Sequence, residues 1–227
     1  MLKINHVNYA YGKRQVLKDV CFEIHPGEIT SIVGMNGSGK TTLMNLIMKL
    51  IPMQKGTITI DGKPITVNDF NRISYVPDQI IIPRNMTIQE SLDFMERYYD
   101  CFNPQRAADL LDYFNLNRKD KIAILSKGNT AKMNILLGLC LDTDYIIMDE
   151  PFSGIDALAR ERILQVFTSQ LEENRGVLIA THEIQEIENL IDKVVLLRDG
   201  EIIDQFSPED KRYQEGKSIL DVMREVY

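Results

Sequence analysis

A run of eight residues, GMNGSGKT at positions 34–41, constrains this chain more than any other feature. It fits the pattern G-x-x-x-x-G-K-[ST], and it lies between a strand-like run at 29–33 and a helix-like run at 42–49. Glycines let the backbone wrap closely around a phosphate group, because a Cβ atom would block the approach. Successive N–H groups then form an anion-binding nest, and the following helix directs its positive end there. The segment predicts a phosphate-binding loop on an α/β fold.

Each position of this phosphate loop (residues 34–41) has a predicted role. Lys40 is expected to reach the β- and γ-phosphates as a point charge, and Thr41 to place its hydroxyl on Mg²⁺. A chance match in a glycine-rich turn is the alternative, and the strand–loop–helix context argues against it. The other residues predicted to contact nucleotide here are Gly34, Met35, Asn36, Gly37, Ser38, Gly39 and Thr42.

Composition and charge exclude several classes of function. The chain has 227 residues, 44% hydrophobic and 26% charged, which is ordinary for a globular protein with a sizeable core. Its net charge of −7 argues against non-specific binding to nucleic acid and against electrostatic docking on anionic lipid. No apolar run approaches the ~20 residues of a membrane span, and the first residues lack signal-peptide character.

The cysteines and two of the histidines give no sign of a site in the sequence. Cys21, Cys101 and Cys140 are far apart and lack metal-ligand spacing, so they are interpreted as reduced thiols of a cytosolic protein. His6 and His25 have no motif around them and are interpreted as surface residues.

The order of the predicted elements indicates an α/β fold with two additions. Residues 2–33 are predicted as strands, followed by a hairpin formed by 56–60 and 65–67 around a turn at Asp61-Gly62. Helical patterns take over from 87 to about 125, beginning with a capping box formed by Thr87 and Glu90. Strands at 145–148 and 177–180 then alternate with helices at 157–173 and 183–190, and a last hairpin spans 193–206. Such alternation implies a parallel sheet with crossover helices.

Two carboxylates follow the strand predicted at 145–148. Asp149 and Glu150 come directly after four apolar residues, so we expect them at the carboxyl end of a buried strand that faces the phosphate crevice. Asp149 is predicted to hold Mg²⁺ through a bound water, and Glu150 to orient and deprotonate an attacking water. A solvated acidic turn is the alternative, and the phosphate loop upstream favours the metal–nucleotide site.

Taken in order, these motifs resemble the ATP-binding subunits of ABC transporters along nearly the whole chain. Many kinases and GTPases share the phosphate loop, and the segment LSKGN at 125–129 distinguishes this chain from them. It resembles the family signature LSGGQ, with Lys127 replacing a glycine and Asn129 replacing glutamine. The resemblance implies that Ser126, Gly128 and Asn129 contact the γ-phosphate of a nucleotide held on a partner subunit. A plain serine-capped helix start is the alternative.

The resemblance assigns further residues one at a time. Tyr11 matches the aromatic residue that stacks on adenine, and Val16 is expected to pack beside the same base. Asp156 belongs to a segment, SGID at 153–156, that resembles the loop crossing the dimer interface. His182 matches the switch histidine at the γ-phosphate, and it completes a predicted catalytic set with Glu150 and Lys40.

One loop departs from the family pattern. The family often places glutamine after a Val-Pro pair, where it contacts Mg²⁺, but here residues 76–77 are followed by Asp78 and then Gln79. Either residue is a candidate metal contact: Asp78 would add negative charge beside the ion, and Gln79 would need a shifted loop. The isoleucines at 80–82 are either a buried strand or an exposed patch that receives a membrane subunit.

The resemblance implies an α/β fold of the ABC ATPase type. It would have a P-loop NTPase core with a parallel sheet, a small antiparallel β lobe and an inserted α-helical lobe. We expect a single domain over 1–227, with the core and β lobe at 1–86 and 143–227 and the helical lobe at 87–142.

The implied function is ATP hydrolysis by one subunit of a membrane transporter, with ATP and Mg²⁺ as cofactors. The expected partners are a separate membrane permease and a second ATP-binding subunit, identical or paralogous, with no nucleic acid. The expected location is cytoplasmic, at the inner face of the cell membrane. The loop at 76–79 resembles that of ABC-2-type drug and peptide exporters, and with the short C-terminal tail it favours an exporter of peptides, antibiotics or similar amphiphiles. A soluble ATPase for iron–sulfur cluster assembly and a catalytically silent regulator are the alternatives, and Glu150 and His182 count against the second.

Overall fold

Two β-sheets and the helices packed on them make up the described part of the molecule. The computed structural model describes residues 1–153, 155, 160–166, 174–182, 184 and 187–227. The strands are β1 Leu2–Tyr11, β2 Arg14–Ile24, β3 Ile29–Val33, β4 Lys55–Ile60, β5 Lys63–Pro64, β6 Ile73–Val76, β7 Tyr145–Asp149, β8 Gly176–Thr181, β9 Lys193–Arg198 and β10 Glu201–Phe206.

The helices flank these strands in chain order. Residues 160–166 are also helical, and short 3₁₀ turns lie at Val67–Asn71, Ile122–Ile124 and Glu188–Leu190. The longer helices are α1 Lys40–Ile47, α2 Ile88–Tyr98, α3 Pro104–Phe114 and α4 Lys127–Leu139, followed by two C-terminal helices, Pro208–Glu215 and Ile219–Val226.

The larger sheet positions the candidate site. Its six strands have the order β10-β9-β3-β8-β7-β6, and all neighbours are parallel except β9 and β10. Every residue of β3, β7 and β8 is buried, as expected for parallel strands covered on both faces. Val33 pairs with Thr181 and Asp149 with Ala180, so these three strands end at one edge of the sheet. Ligands of open α/β sheets bind beyond that carboxyl edge.

The smaller sheet is antiparallel, with the order β2-β1-β4-β5. Its inward side chains, such as Leu2, Ile4 and Ile24, share one core with Leu43 of α1 and Leu178 of β8. Helix α1 therefore lies between the two sheets, and the β1–β2 ribbon is held close to the phosphate loop.

Helices α2, α3 and α4 pack against the other core of the molecule. The apolar positions of α3 recur at helical spacing and are buried: Ala107, Leu110, Leu111 and Phe114. Helix α4 contacts β6 where Gly138 meets Val76, and a Cβ atom on that glycine would lie 2.3 Å from a valine methyl. The cap predicted at Thr87 is present, and Asn103 and Ser207 cap their own helices in the same way.

The predicted fold class is confirmed, and the bounds predicted for one hairpin were wrong. The hairpin after β4 closes on Lys63–Pro64 instead of 65–67, because Thr66 and Asp69 form a capping box that starts a 3₁₀ turn. The isoleucines at 80–82 form no strand; Ile81 is 80% exposed, while its two neighbours pack partly against the core. The helices predicted at 157–173 and 183–190 lie partly outside the described residues.

The proposed boundaries of the helical lobe, 87–142, stay a prediction. Among the residues that the structure describes, no helix combines the length and the apolar character needed to cross a membrane.

Candidate nucleotide-binding site

The phosphate loop connects β3 to α1 in a conformation that needs glycine. Gly37 and Gly39 have positive φ values of 84° and 114°, a region that residues with a Cβ atom rarely adopt. A Cβ atom on Gly34 would lie 2.3 Å from the carbonyl oxygen of Leu197, and one on Gly39 would lie 2.7 Å from a methyl of Leu17. The loop is therefore pressed closely against the β1–β2 ribbon and β9.

Lys40 lies across the phosphate loop with its charge inside the protein. It is the first residue of α1 and only 6% exposed, and its Nζ donates to the carbonyl of Gly34 at 2.8 Å. The N-cap residue of the helix is Gly39, which supplies no side-chain cap, so the first N–H groups of α1 remain available to an anion. A buried ammonium beside free N–H groups is an arrangement suited to a phosphate chain.

Asp149 ends β7 with a carboxylate that is nearly inaccessible. It is 1% exposed, and its Oδ1 has no hydrogen-bond partner among the described residues. Burial raises the pKa of this carboxyl, and the charges of Glu150 and Asp78 raise it further; a hydrogen bond from Thr41 and the charge of Lys40 oppose the rise. A carboxylate oxygen without a partner beside a threonine hydroxyl is the donor set that Mg²⁺ prefers, so these residues fit the predicted ion.

Glu150 is held between two other predicted catalytic residues. Its Oε1 lies 3.8 Å from Nζ of Lys40, and its Oε2 lies 2.9 Å from Nδ1 of His182. The backbone N–H of His182 also donates to this Oε2 at 3.3 Å. Glu150 has a φ of 48°, a strained value for a residue with a side chain, and such strain is concentrated at functional sites. The sheet edge therefore brings together all three residues predicted to be catalytic.

A cleft of about 480 Å³ opens over these groups, within the range of small-molecule sites. Tyr11 is 50% exposed at its rim, so one face of the ring is accessible to a planar ligand. The residues that line the cleft are Tyr11, Arg14, Val16, Asn36, Gly37, Gly39, Lys40, Thr41, Thr42, Asp78 and Glu150.

Arg14 is a cleft residue that sequence analysis missed. It begins β2 two residues before Val16, and residues two apart on a strand face the same side. That spacing was a signal available in the sequence, since Val16 was already a predicted contact. Arg14 adds a second cation to the rim beside Lys40.

Asp78 and Gln79, the two candidates for a contact with the metal ion, differ in their positions. Both are exposed, but Asp78 lines the cleft and Gln79 is absent from its described lining. The amide of Asn134, on α4, donates to the carbonyl of Pro77 and so ties this loop to the signature helix.

The signature segment (residues 125–129) lies apart from this cleft. Ser126 caps α4, accepting from the N–H of Asn129 at 3.3 Å, and the helix begins at Lys127, so the serine-capped helix start given as the alternative is present. Ser126 and Lys127 are exposed, and Gly128 is half-buried. None of them belongs to the described lining of the cleft. Asp156, predicted at a dimer interface, lies outside the described residues.

Comparison with known proteins identifies the class to which this arrangement belongs. Residues 17–153 match the family described as ABC transporter. The chain is 33% identical over 211 residues to the linearmycin resistance ATP-binding protein LnrL of Bacillus subtilis, covering 89% of this chain and 68% of that protein. It is 28% identical to the lipopolysaccharide export system ATP-binding protein LptB of Haemophilus influenzae, covering 92% and 91% of the two chains.

Solved structures agree with these sequence relatives. An ATP-binding subunit of an ABC transporter superposes with a TM-score of 0.90 at 27% identity, covering 100% of this chain and 99% of that one. A dimeric bacterial ABC transporter cassette superposes with a TM-score of 0.79 at 26% identity, covering 91% and 98%. The chain belongs to the ABC transporter family as an ATP-binding subunit. It is an ATPase of that class, and the predicted resemblance to drug-exporter subunits is confirmed.

Proposed function

We propose that this chain powers a membrane exporter of peptides, antibiotics or similar amphiphiles by hydrolysing ATP in the cleft beside the phosphate loop. The observation that carries the proposal is the position of Glu150, whose carboxylate lies between Lys40 and His182 at the edge of the sheet. A structural acidic turn would not need a strained backbone and two cationic or polar partners at the mouth of a nucleotide-sized cleft.

In this proposal the phosphates bind where the free N–H groups of α1 and the charge of Lys40 converge. Lys40 would exchange its contact with the Gly34 carbonyl for phosphate oxygens, which are stronger acceptors. Tyr11 would stack on adenine with Val16 beside it, and Arg14 would extend the positive rim.

The residues that would hold Mg²⁺ are Thr41 and Asp149, with Asp78 at the rim. Asp149 is suited to this because its Oδ1 is buried without a partner among the described residues, a state that costs about 1–3 kcal/mol until a ligand satisfies it. The ion would neutralise phosphate charge.

Glu150 would act as the general base for the attacking water. Its carboxylate is 15% exposed, so water can reach it, and His182 fixes its orientation through the 2.9 Å contact. Lys40 and His182 would stabilise charge that develops on the γ-phosphate.

We further propose that a second ATP-binding subunit completes each site. Ser126 and Lys127 are exposed and lie outside the described lining of this chain's own cleft, so the signature segment is free to meet a phosphate held by another chain. The helical lobe, residues 87–142, would carry that segment, and Asn134 links it to the loop beside the cleft.

Transport would require a separate permease at the inner face of the cell membrane, which places this chain in the cytoplasm. Ile81 is 80% exposed, close in sequence to the cleft residue Asp78, and it supports a docking surface there together with Phe94 and Tyr98 of α2. The names of the relatives, linearmycin resistance and lipopolysaccharide export, support the direction of transport.

Two measurements test this proposal. Mg²⁺-dependent ATP hydrolysis by the purified chain should rise faster than linearly with protein concentration, because the active form is a dimer. A linear dependence would overturn the shared site. Co-purification with a multi-span membrane protein is expected, whereas capture of soluble iron–sulfur assembly proteins in its place would favour that rival function.

A further inference from the structure

The outer face of the β1–β2 ribbon carries two irregularities side by side. Ile4 pairs with Phe22 and Val7 with Val20, so β1 has one more residue than β2 in this interval. Between that pair and the next one, Tyr9 with Leu17, β2 has the additional residue. Such bulges re-aim side chains, and they are found next to functional sites more often than elsewhere in sheets.

The two irregular positions are occupied by residue types that commonly serve as metal ligands. His6 and Asp19 have positive φ values of 50° and 53°, which is unusual for residues with side chains. Nδ1 of His6 lies 2.8 Å from Oδ1 of Asp19, and the His6 N–H donates to Sγ of Cys21 at 3.0 Å. The bulges thus gather imidazole, carboxylate and thiol on one side of the ribbon.

We propose that His6, Asp19 and Cys21 form a binding site for a thiophilic divalent cation, and that Zn²⁺ is the ion it prefers. Their three ligand atoms lie within 4.8 Å of one another, and no other such group of three occurs among the described residues. Nitrogen, oxygen and sulfur ligands together suit Zn²⁺, whereas Mg²⁺ takes oxygen ligands almost alone.

The geometry needs only a small adjustment to accept the ion. Zn²⁺ bond lengths and a tetrahedral angle put neighbouring ligand atoms about 3.3–3.6 Å apart. The 2.8 Å separation of His6 and Asp19 would widen slightly, and Cys21 would approach by side-chain rotation. The ion would replace the direct contact between Nδ1 of His6 and Oδ1 of Asp19.

The side chain of Asn8, on β1, holds His6 and Asp19 in place through their backbone groups. Its amide nitrogen donates to the carbonyl of His6 at 3.0 Å, and its amide oxygen accepts from the N–H of Asp19 at 3.1 Å. One side chain therefore fixes both left-handed residues before any ion binds. Asn8 is a positioning residue, and such outer partners of metal ligands contribute about 10- to 100-fold in affinity.

The site is open to solvent and separate from the nucleotide cleft. His6 and Asp19 are exposed, and Cys21 is half-buried. None of the three lines the cleft beside the phosphate loop. Three protein ligands leave the fourth position of a tetrahedral ion to water, so we expect a reversible site that a chelator empties.

The test is a Co²⁺ titration of the untagged full chain, followed by absorption. Sulfur ligation of Co²⁺ gives a charge-transfer band in the near ultraviolet that oxygen and nitrogen ligands do not give. We expect this band to saturate at one equivalent and to disappear when Zn²⁺ is added. Cys21→Ser should abolish it, while Cys101→Ser, which changes another half-buried thiol, should retain it.

Two further variants grade the site. Asn8→Ala should weaken Zn²⁺ binding by about tenfold, and His6→Asn, which removes a ligand, should weaken it further. Zn²⁺ should raise the melting temperature of the wild-type chain and leave that of Cys21→Ser unchanged, which separates ligation from a folding defect. Absence of the sulfur band, or an equal band in Cys21→Ser, would show that the cluster is only a hydrogen-bonded surface feature.

Discussion

The phosphate-loop edge and the signature segment differ sharply in how they are held. At the first, charged groups are buried and bonded to one another: Lys40 is 6% exposed, Asp149 is 1% exposed, and Glu150 contacts His182. At the second, Ser126 and Lys127 are exposed, and the described contact of the serine side chain is its own helix cap.

This difference matches the proposed function, in which the chain would complete one half of a catalytic site and leave the other half for a second chain to complete. Burying charges is costly unless they are paired or coordinated, so the phosphate-loop edge is organised before nucleotide arrives. The signature segment bears no such cost, because Ser126 and Lys127 are exposed and stay hydrated; in the proposed dimer a phosphate from another chain would replace that water. Substitutions in the two regions should therefore have different effects.

The largest effect is expected at the phosphate-loop edge, from Glu150→Gln. The amide keeps the shape of the side chain but cannot accept the proton of the attacking water. ATP turnover should fall by about 100- to 10,000-fold, while ATP affinity changes little. Single-turnover hydrolysis and nucleotide titration measure the two quantities separately, with Glu96→Gln on exposed α2 surface as the control. Unchanged turnover would remove the proposed role of Glu150.

Lys40→Met should act on binding instead of on the proton transfer. The substitution keeps most of the volume of a buried side chain but removes the charge that faces the phosphates. ATP affinity should fall by about 10- to 100-fold, the range expected for a hydrogen bond to a charged group. Lys119→Met, which removes an exposed lysine, is the matched control. Equal affinity in both variants would mean that Lys40 only supports the loop.

Ser126→Ala tests the signature segment, the exposed region of the comparison. It should leave ATP binding to the single chain unchanged and lower turnover by about tenfold at dimer-forming concentrations, because it removes one donor to phosphate. The variant also loses a helix cap, which costs about 1 kcal/mol. Thr87→Ala removes the cap of α2 at a similar cost, so it controls for stability. Equal turnover in the two alanine variants would leave Ser126 as a cap alone.

The smallest effect concerns stability and pH. Asp149→Asn should increase the free energy of unfolding by about 1 kcal/mol at pH 8 without Mg²⁺, because a buried negative charge with one unsatisfied oxygen is replaced by a neutral amide. Burial raises the pKa of Asp149 in the folded state, so the wild-type carboxyl binds a proton as pH falls and the difference should shrink. Urea unfolding of both proteins at pH 5 and pH 8 measures this difference in stability. An Asp149→Asn chain that is less stable than the wild type at both pH values would contradict the prediction.

The sequence predicted the phosphate-loop edge well because local pattern determines it. The glycines of the motif at 34–41 determine the backbone conformation of the loop. The buried strands at 145–149 and 176–181 place their ends together by parallel pairing. Capping residues such as Thr87 and Asn103 likewise act within one turn of their own helix.

The sequence could not predict features that depend on how separate segments meet. Arg14 could have been suspected from its spacing to Val16, but its place in the cleft also depends on the packing of the ribbon beside the phosphate loop. Asp78 and Gln79 are neighbours, and only the path of the loop distinguishes them. His6 and Cys21 have no motif around them in the sequence. They meet in the fold because two bulges on different strands bring them together.

The most direct test of the shared catalytic site is to mix two inactive variants under conditions in which the wild-type chain hydrolyses ATP. Glu150→Gln lacks the base, and Ser126→Glu places a negative charge where the γ-phosphate of the partner would lie. A mixed dimer has one intact site built from both chains, so equal amounts should restore roughly a quarter of wild-type activity. A mixture no more active than its separate components would contradict the account.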